Sequence, residues 1–312
     1  MFIPITLAGF LERVRVLGDG WTESVVWYLA KHPPYAMHTI EKKPLRKSIL
    51  IDGDAEPEKK LRVIHEPCPA LKRIQWWILH YLLTPASKRL LPCAHGCVEG
   101  RSTLTNAAPH VGASWKAHMD VKDFFPSITT PRVYGLFKKV FGYDKRLSWL
   151  LAHLTTYEGR LPQGAPTSPM IANFIATPMD HEVVRLLGAM GGFYTRYVDD
   201  LTFSFRRRMS EKSQDRFLST IKRIAKRHGF RINDEKTSVV SRKRRMVVTG
   251  VVVNSTPSIP KQFRANLRAA IHHRKLEIAG SDSEEVIRGK LAYVKMVNPK
   301  QAESIKRSCR WT

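Results

Sequence analysis

The stretch FYTRYVDDLTFSF, Phe193 to Phe205, alternates apolar and polar residues on both sides of two adjacent aspartates, Asp199 and Asp200. Alternation with period two marks half-buried strands, so the segment reads as a β-hairpin with the aspartates at its turn, a place aspartate favours. Two neighbouring carboxylates repel, and strands this rich in aromatics expose them to little water, so a cation belongs beside them. Upstream, WKAHMDVKDFFPSI begins as a strand carrying Asp120 and stops at Pro126.

The order of elements predicts that these two places meet. Strand, helix, two hairpin strands, helix and strand follow one another from Trp115, the order of a ferredoxin-like split βαβ sheet. AHMD and YVDD then lie on neighbouring strands, and Asp120 points to the place held by Asp199 and Asp200. Three converging carboxylates suit hard, oxygen-loving cations such as Mg2+. A pair of such ions, about 4 Å apart, can stabilise both an attacking hydroxyl and a leaving pyrophosphate.

This acid patch stands in a basic chain. The 312 residues carry 52 Lys and Arg against 27 Asp and Glu, a net charge of +25. Such a field attracts polyanions, and nucleic acid is the leading partner. The excess is spread along the chain and not gathered in one amphipathic helix, and no apolar run approaches membrane-spanning length, which argues against a membrane partner. The N-terminus has no basic segment and no cleavage site of a signal peptide. Four cysteines, Cys68, Cys93, Cys97 and Cys309, are too few for a disulfide framework and favour a reducing, cytoplasmic setting. In PCAHGC, Cys93, His95 and Cys97 raise a zinc reading that lacks a fourth ligand at usual spacing; ordinary reduced cysteines are the alternative.

The remaining chain reads as two short N-terminal helices ended by Pro33 and Pro34, then a strand pair flanking the charged segment IDGDAEPEKK. In CPALKRIQWWILHYLL, Leu71, Ile74, Ile78 and Leu82 form a core-facing helical stripe, with Trp76 and Trp77 either packed inside or stacking on bases. Beyond Ser255, twelve Lys and Arg face five Asp and Glu. There Phe263, Leu267, Ala270, Ile271 and Ile278 predict an apolar helix face, beside a basic stripe of Arg264, Arg268, His272 and Lys275 that contacts a phosphate backbone or simply faces solvent.

YVDD, with DVKDFF and LPQGAPTSP, resembles the central motifs of the reverse transcriptase palm, in order and followed by INDEKT and VTG. Within that superfamily the chain resembles the retron reverse transcriptases: NAAPH, Asn106 to His110, matches their NAxxH element, and Val248, Thr249 and Gly250 match their VTG element. Val198 stands where Ala is commoner in that group. The resemblance implies an α+β right-hand polymerase fold: N-terminal helices and fingers over 1–117, a palm over 118–254 with 131–178 partly fingers and palm helices, and a helical thumb over 255–312.

It also implies roles. Asp120, Asp199 and Asp200 are the catalytic carboxylates and hold two Mg2+ ions, with the Val121 carbonyl as a further ligand. Arg62, Lys60, Asp123, Phe125, Gln163 and Lys236 bind the nucleotide: Arg62 and Lys60 clamp the triphosphate, Phe125 excludes a 2′-hydroxyl or is a core aromatic, and Lys236 serves the departing pyrophosphate or lies on the surface. Arg101 is a candidate template contact. Thr249 and Gly250 grip the primer end, while Asn106, Ala107 and His110 make RNA-specific contacts or contacts within the fold. The activity implied is RNA-directed synthesis of DNA from dNTPs, copying part of a cognate structured noncoding RNA into RNA-linked msDNA. Priming from a guanosine 2′-hydroxyl and antiphage defence with a separate effector protein follow from the same resemblance, since no nuclease, integrase or toxin domain has room after Thr312. Diversity-generating and group II intron reverse transcriptases, and a non-catalytic RNA-binding protein of the same fold, are the alternatives.

Overall fold

The computed structural model describes residues 5–18, 21–41 and 61–311. The segment IDGDAEPEKK, and Lys60 with it, lies outside the described residues. In chain order the elements are helices α1 (Leu7–Arg15) and α2 (Glu23–Lys31), strands β1 (Tyr35–Glu41) and β2 (Leu61–Pro67), and helices α3 (Pro69–Trp77), α4 (Thr84–Ala86) and α5 (Thr103–Ala107). Next come β3 (Trp115–Lys122), α6 (Thr130–Gly135), α7 (Lys145–Thr155), α8 (Ser168–Met190), β4 (Gly192–Tyr197), β5 (Asp200–Phe205), α9 (Glu211–Arg227) and β6 (Arg231–Ser241). The chain closes with β7 (Val247–Val248), β8 (Val251–Val252), α10 (Lys261–Lys275), α11 (Glu284–Val297) and α12 (Pro299–Cys309). Side-chain caps start many of the helices: Thr6, Thr22, Asp144, Ser210, Ser283 and Asn298 each accept a backbone N–H of the first turn.

The chain divides into two compact units, Met1–Leu90 with Asp123–Ala176, and Leu91–Lys122 with Thr177–Thr312. In the first, Leu71, Ile74, Ile78 and Leu82 are all buried, as their spacing predicts. Trp77 joins them, edge-on to Phe10 at 5.5 Å, but Trp76 is exposed and stacks on His80, so only one of the two tryptophans packs in the core. The buried Gln75 amide donates to the Leu154 carbonyl and to the Tyr35 hydroxyl, both at 2.8 Å, tying α3 to α7 and β1. β1 and β2 form an antiparallel hairpin.

In the second unit, the four-stranded sheet has the order β4-β5-β3-β6, with every pair antiparallel. This is the split βαβ order. One face is apolar: Ala117, Met119, Leu201, Phe203 and Phe205 are fully buried, and Phe217 of α9 packs edge-on against Phe203, Phe205 and Trp115. The opposite face is polar, because successive side chains alternate. A second core gathers Val248, Val251, Leu267, Ile271, Ile287, Leu291 and Val294 with Ala107. α10 ends at Lys275, so Ile278 falls beyond the helix, largely exposed, and is not part of the apolar face its spacing predicts.

The sheet is fastened to α8 by a buried ion pair. Arg196 on β4 is fully buried and its guanidinium donates to both oxygens of Asp180, Nη2 to Oδ2 at 2.7 Å and Nε to Oδ1 at 3.0 Å. The Tyr194 hydroxyl donates to the same carboxylate at 2.7 Å. Burial works against the charged guanidinium, and the Asp180 carboxylate outweighs it, so the Arg196 pKa rises. Breaking such a pair from one side strands a charge in the interior. Asp180→Ala should therefore lower the unfolding free energy by about 3–5 kcal/mol, read from urea denaturation; a loss below about 1 kcal/mol would mean the pair is no more than a surface contact in energy.

Candidate active site

The polar face of the sheet places the aspartates. Across β3 and β5, Asp120 stands opposite Asp200, His118 opposite Thr202 and Lys116 opposite Ser204. Partners in an antiparallel register share a face, so Asp120, His118 and Lys116 run along β3 beside Asp200 and Thr202. The adjacency of AHMD and YVDD expected from the sequence is thus present, residue for residue.

The turn is shifted by one residue from the sequence reading. β4 ends at Tyr197 and β5 begins at Asp200, with these two paired, so the two turn residues are Val198 and Asp199 and not Asp199 and Asp200. Val198 has φ of 61°, a left-handed conformation that a β-branched residue adopts only under constraint. The constraint is visible: Arg196 Nη1 donates to the Val198 carbonyl at 3.1 Å, and the Asp199 carbonyl accepts the Val121 N–H at 2.9 Å. The PCAHGC segment braces the hairpin from its other edge. Arg196 N–H donates to the Cys93 carbonyl and His95 N–H to the Arg196 carbonyl, each at 2.7 Å. A Cβ on Gly96 would lie 2.5 Å from the Val198 backbone nitrogen, so only glycine fits there. Arg101, a candidate template contact by sequence, turns its guanidinium onto the Leu91 and Ala94 carbonyls of the same brace. Among the described residues no group of three His, Cys, Asp or Glu side chains is gathered tightly enough to hold a metal ion, and PCAHGC is a brace of backbone contacts in place of the zinc site.

Lys236 reaches the acids through a bulge. Between the pairs His118 with Ser238 and Asp120 with Asn233, β6 sets residues Asp234 to Thr237 against Met119 alone, and an irregularity of this kind re-aims side chains. The Lys236 ammonium sits on Asp120 Oδ1. Asp120 is buried, while Asp199 and Asp200 are partly so. Burial and then the Asp200 charge raise the Asp199 pKa; burial and then Asp120 raise that of Asp200. Burial and then Lys116 lower the His118 pKa, which leaves it a neutral neighbour 3.6 Å from Asp200 Oδ1 at pH 7. The donors are hard oxygens of the kind a divalent cation takes, but as they stand, with Lys236 on Asp120, the three aspartates too fall short of a gathered metal group. Lys236 supplies the nearest positive charge, and the carboxylates form an open set and not a closed chelate.

The NAxxH and VTG elements meet. Asn106 Nδ2 donates to Thr249 Oγ1 at 3.2 Å, and the Thr249 hydroxyl donates to the Thr103 carbonyl. His110 is fully buried between Ser204 Oγ, 2.7 Å from Nδ1, and Thr195 Oγ1, 2.8 Å from Nε2. Burial pushes its pKa to about 3, so the ring is neutral. Ala107 and Val248 lie in the second core, and Thr249 and Gly250 both take positive φ, 42° and 85°. These contacts lie within the fold: the two signatures are one buried joint between β4, β5 and the β7–β8 turn.

In the other unit, Arg62 is exposed on β2, Phe125 is partly buried beside Phe124, and Asp123 is exposed with φ of 48°. The Gln163 carbonyl accepts the His65 N–H at 2.7 Å, docking the LPQGAP turn on the strand that carries Arg62. Gly164 is required there, since a Cβ would meet the His65 carbonyl at 2.7 Å. On α10, Arg268 donates to Ser308 and Lys275 to the Arg310 carbonyl, Arg264 is partly buried, and His272 is exposed. Sequence reading missed Asp180, Gly96, His118 and Lys116; an arginine in an otherwise aromatic strand, sixteen residues after an aspartate in a hydrophobic helix, was the available sign of the first.

A family model described as reverse transcriptase (RNA-dependent DNA polymerase) matches residues 40–253. The retron Ec86 reverse transcriptase of Escherichia coli is 35% identical over 268 residues, covering 85% of this chain and 77% of its own length. The retron Mx65 reverse transcriptase of Myxococcus xanthus is 39% identical over 271 residues, covering 79% of this chain and 61% of its own length. Among solved structures, telomerase from Candida albicans, in complex with a fragment of telomeric RNA, aligns with a TM-score of 0.50 at 12% identity, covering 91% of this chain and 60% of that one. The likeness is one of fold, and the mixed helices and antiparallel sheets are those of the right-hand polymerase fold.

Two outcomes follow from the geometry. A carboxyl whose pKa is raised by folding binds its proton more tightly folded than unfolded, so stability falls as pH rises from the ordinary carboxylate range through the raised value. Set among Asp120, Lys236, Lys116 and His118, Asp200→Asn should raise the melting temperature at pH 7, and the gain should vanish below about pH 4; an equal gain at every pH would remove the electrostatic cause. Gly96→Ala should cost about 1–3 kcal/mol in urea denaturation and should not be fully rescued by Val198→Ala, because a Cβ there meets the Val198 backbone nitrogen as closely as the Val198 side chain, each at 2.5 Å; full rescue would make the side-chain contact the whole of the clash.

Proposed function

This chain belongs to the reverse transcriptases, RNA-dependent DNA polymerases, and within them to the retron group; from that premise we propose that it copies part of a cognate structured noncoding RNA into RNA-linked single-stranded DNA. Priming from a guanosine 2′-hydroxyl, dNTPs as substrates, and a place in antiphage defence beside a separate effector protein complete the reading. The observation that carries it is the pairing of Asp120 with Asp200 across β3 and β5, with Asp199 in the turn between β4 and β5.

Asp120, Asp199 and Asp200, with the Val121 carbonyl, would hold two Mg2+ ions. Bound there, the ions would lower the charge on the attacking hydroxyl and on the leaving pyrophosphate. The residues of the chain do the rest. Lys236 neutralises Asp120 and is free to turn toward a departing phosphate, being half exposed. Arg62, with its rigid fork of donors, takes triphosphate oxygens. Phe125 stands where a 2′-hydroxyl is refused, a selection by repulsion, and Asp123 and the Gln163 turn bind the same nucleotide. Arg264, Arg268, His272 and Lys275 on α10, read as the thumb, contact the RNA backbone. No helix among the described residues is long and apolar enough to cross a membrane.

Primer extension on an RNA template tests the enzyme reading. Wild type should incorporate dNTPs, and Asp199→Ala with Asp200→Ala should reduce incorporation by at least about a thousandfold; equal, poor incorporation by both would make the chain an RNA-binding protein. Nucleic acid copurified from the native host should contain a branched RNA–DNA joint that only debranching separates. A linear product would favour the diversity-generating or group II intron type.

A further inference from the structure

Two runs of consecutive cations have no part in the site described so far: RRR, residues 206–208, and RKRR, residues 242–245. The register of the sheet brings them together. Trp115 at the start of β3 pairs with Phe205 at the end of β5 on one side and with Ser241 at the end of β6 on the other, and one run leaves each of those strands at the next residue. The Ser114 N–H donates to the Phe205 carbonyl at 2.9 Å, and the Ser114 carbonyl accepts the Arg242 N–H at 3.0 Å. A single residue thus joins the two roots, which lie about 10 Å apart because β5 and β6 flank β3. Asp120 is at the other end of β3, about 17 Å of strand away.

Both runs face outward from fixed backbone. All of their side chains are exposed. The Asn254 amide donates to the Arg242 and Arg244 carbonyls at 3.3 and 2.9 Å, and its side-chain oxygen accepts the Met246 N–H at 2.8 Å. Met246, fully buried, anchors the end of that turn. In RRR, Arg206 covers the Phe193 ring at 5.3 Å and Arg207 donates to the Met190 carbonyl at 3.3 Å. Glu211 and Asp215 follow on α9, yet among the described residues none of these cations forms an ion pair. Like charges gathered without acids repel one another and oppose folding. Their placement therefore calls for a ligand that brings the negative charge.

The arrangement selects among polyanions. Proteins grip a single strand with rings on which its bases stack, and the Phe193 ring beside the runs is already covered by Arg206. All but Lys243 are arginines, whose rigid fork takes phosphate oxygens two at a time. A duplex presents two rows of phosphates to two rows of cations, and is held by shape and backbone without reading its bases. We propose that this end of the sheet is a second nucleic-acid site, which clamps the backbone of a double-stranded RNA stem remote from the aspartates. The choice of RNA rests on the polymerase reading; the clamp for phosphate does not.

The test is fluorescence anisotropy on the full chain with a labelled, blunt RNA hairpin that offers no template to copy, over a series of NaCl concentrations. One variant joins Arg242→Gln, Lys243→Gln, Arg244→Gln and Arg245→Gln, and a second joins Arg206→Gln, Arg207→Gln and Arg208→Gln. Each should lower the salt slope by about two to three and weaken hairpin binding at least about tenfold. A third, with Arg242→Lys, Arg244→Lys and Arg245→Lys, keeps the charge and should keep the slope. Unchanged slopes in both glutamine variants overturn the proposal, as does a slope lost equally in the lysine variant. An unstructured single-stranded RNA, a DNA hairpin and a vesicle containing phosphatidylserine are run beside the RNA hairpin. A loss as large with the single strand overturns the duplex, one as large with the DNA hairpin overturns RNA as the ligand, and a loss confined to the vesicle makes the patch a membrane contact. Extension of a short primer–template by wild type is scored separately. Extension with unchanged hairpin slopes sinks the clamp alone, whereas lowered slopes without extension leave an RNA-binding site and sink the polymerase reading.

Discussion

The buried pair of Asp180 and Arg196 is the interaction on which the active-site hairpin depends. Its guanidinium is shared between two tasks: two nitrogens hold the carboxylate of α8, and the third holds the Val198 carbonyl in a turn that a β-branched residue would not adopt unaided. Around it, the backbone of Cys93 to His95 pairs with Arg196 on the open edge of β4, and Gly96 lets that brace come within contact of the turn. Strain of this kind persists only where the surroundings over-determine it. Here a charge pair, an extra edge segment and a glycine do so together.

The second constraint is electrostatic. A chain with 25 more positive than negative charges gathers its candidate catalytic acids at one end of a sheet face and the adjoining turn, where burial and mutual repulsion raise the pKa values of Asp199 and Asp200. Lys236, delivered by the irregularity in β6, compensates Asp120 without closing the site. Lys116 sits at the far end of the same face, where burial pushes its pKa to about 8. The long-range field and the local face thus have opposite signs, so a polyanion and a divalent cation would be drawn to different places on one chain.

Much of this was legible from residue order. Period-two alternation located β4 and β5, the split βαβ order put Asp120 beside Asp200, and helical spacing marked Leu71, Ile74, Ile78 and Leu82 as core. The rest depended on partners distant in sequence or, for Ile278, on where a helix ends. Turn preference placed both aspartates in the turn, but the register set by β5 against β3 moved the turn back to Val198. Cys93, His95 and Cys97 raised a zinc reading beside that of ordinary reduced cysteines, and their segment braces Arg196 through backbone groups that carry no residue signature. Ile278 kept the apolar period of α10 after the helix itself had ended. For Asn106 and His110 the sequence left contacts with RNA and contacts within the fold both open, and both are buried in a joint whose other half lies 85 to 143 residues away.

The central claim is that the acid face of the sheet is a seat for divalent metal. Calorimetric titration of Mn2+ into the full chain, with wild type compared against Asp120→Asn, tests it without recourse to catalysis. The account predicts saturable binding by wild type and at least about tenfold weaker binding by Asp120→Asn, with the folded state retained. Equal affinity in the two proteins, or no saturable binding in either, would contradict it.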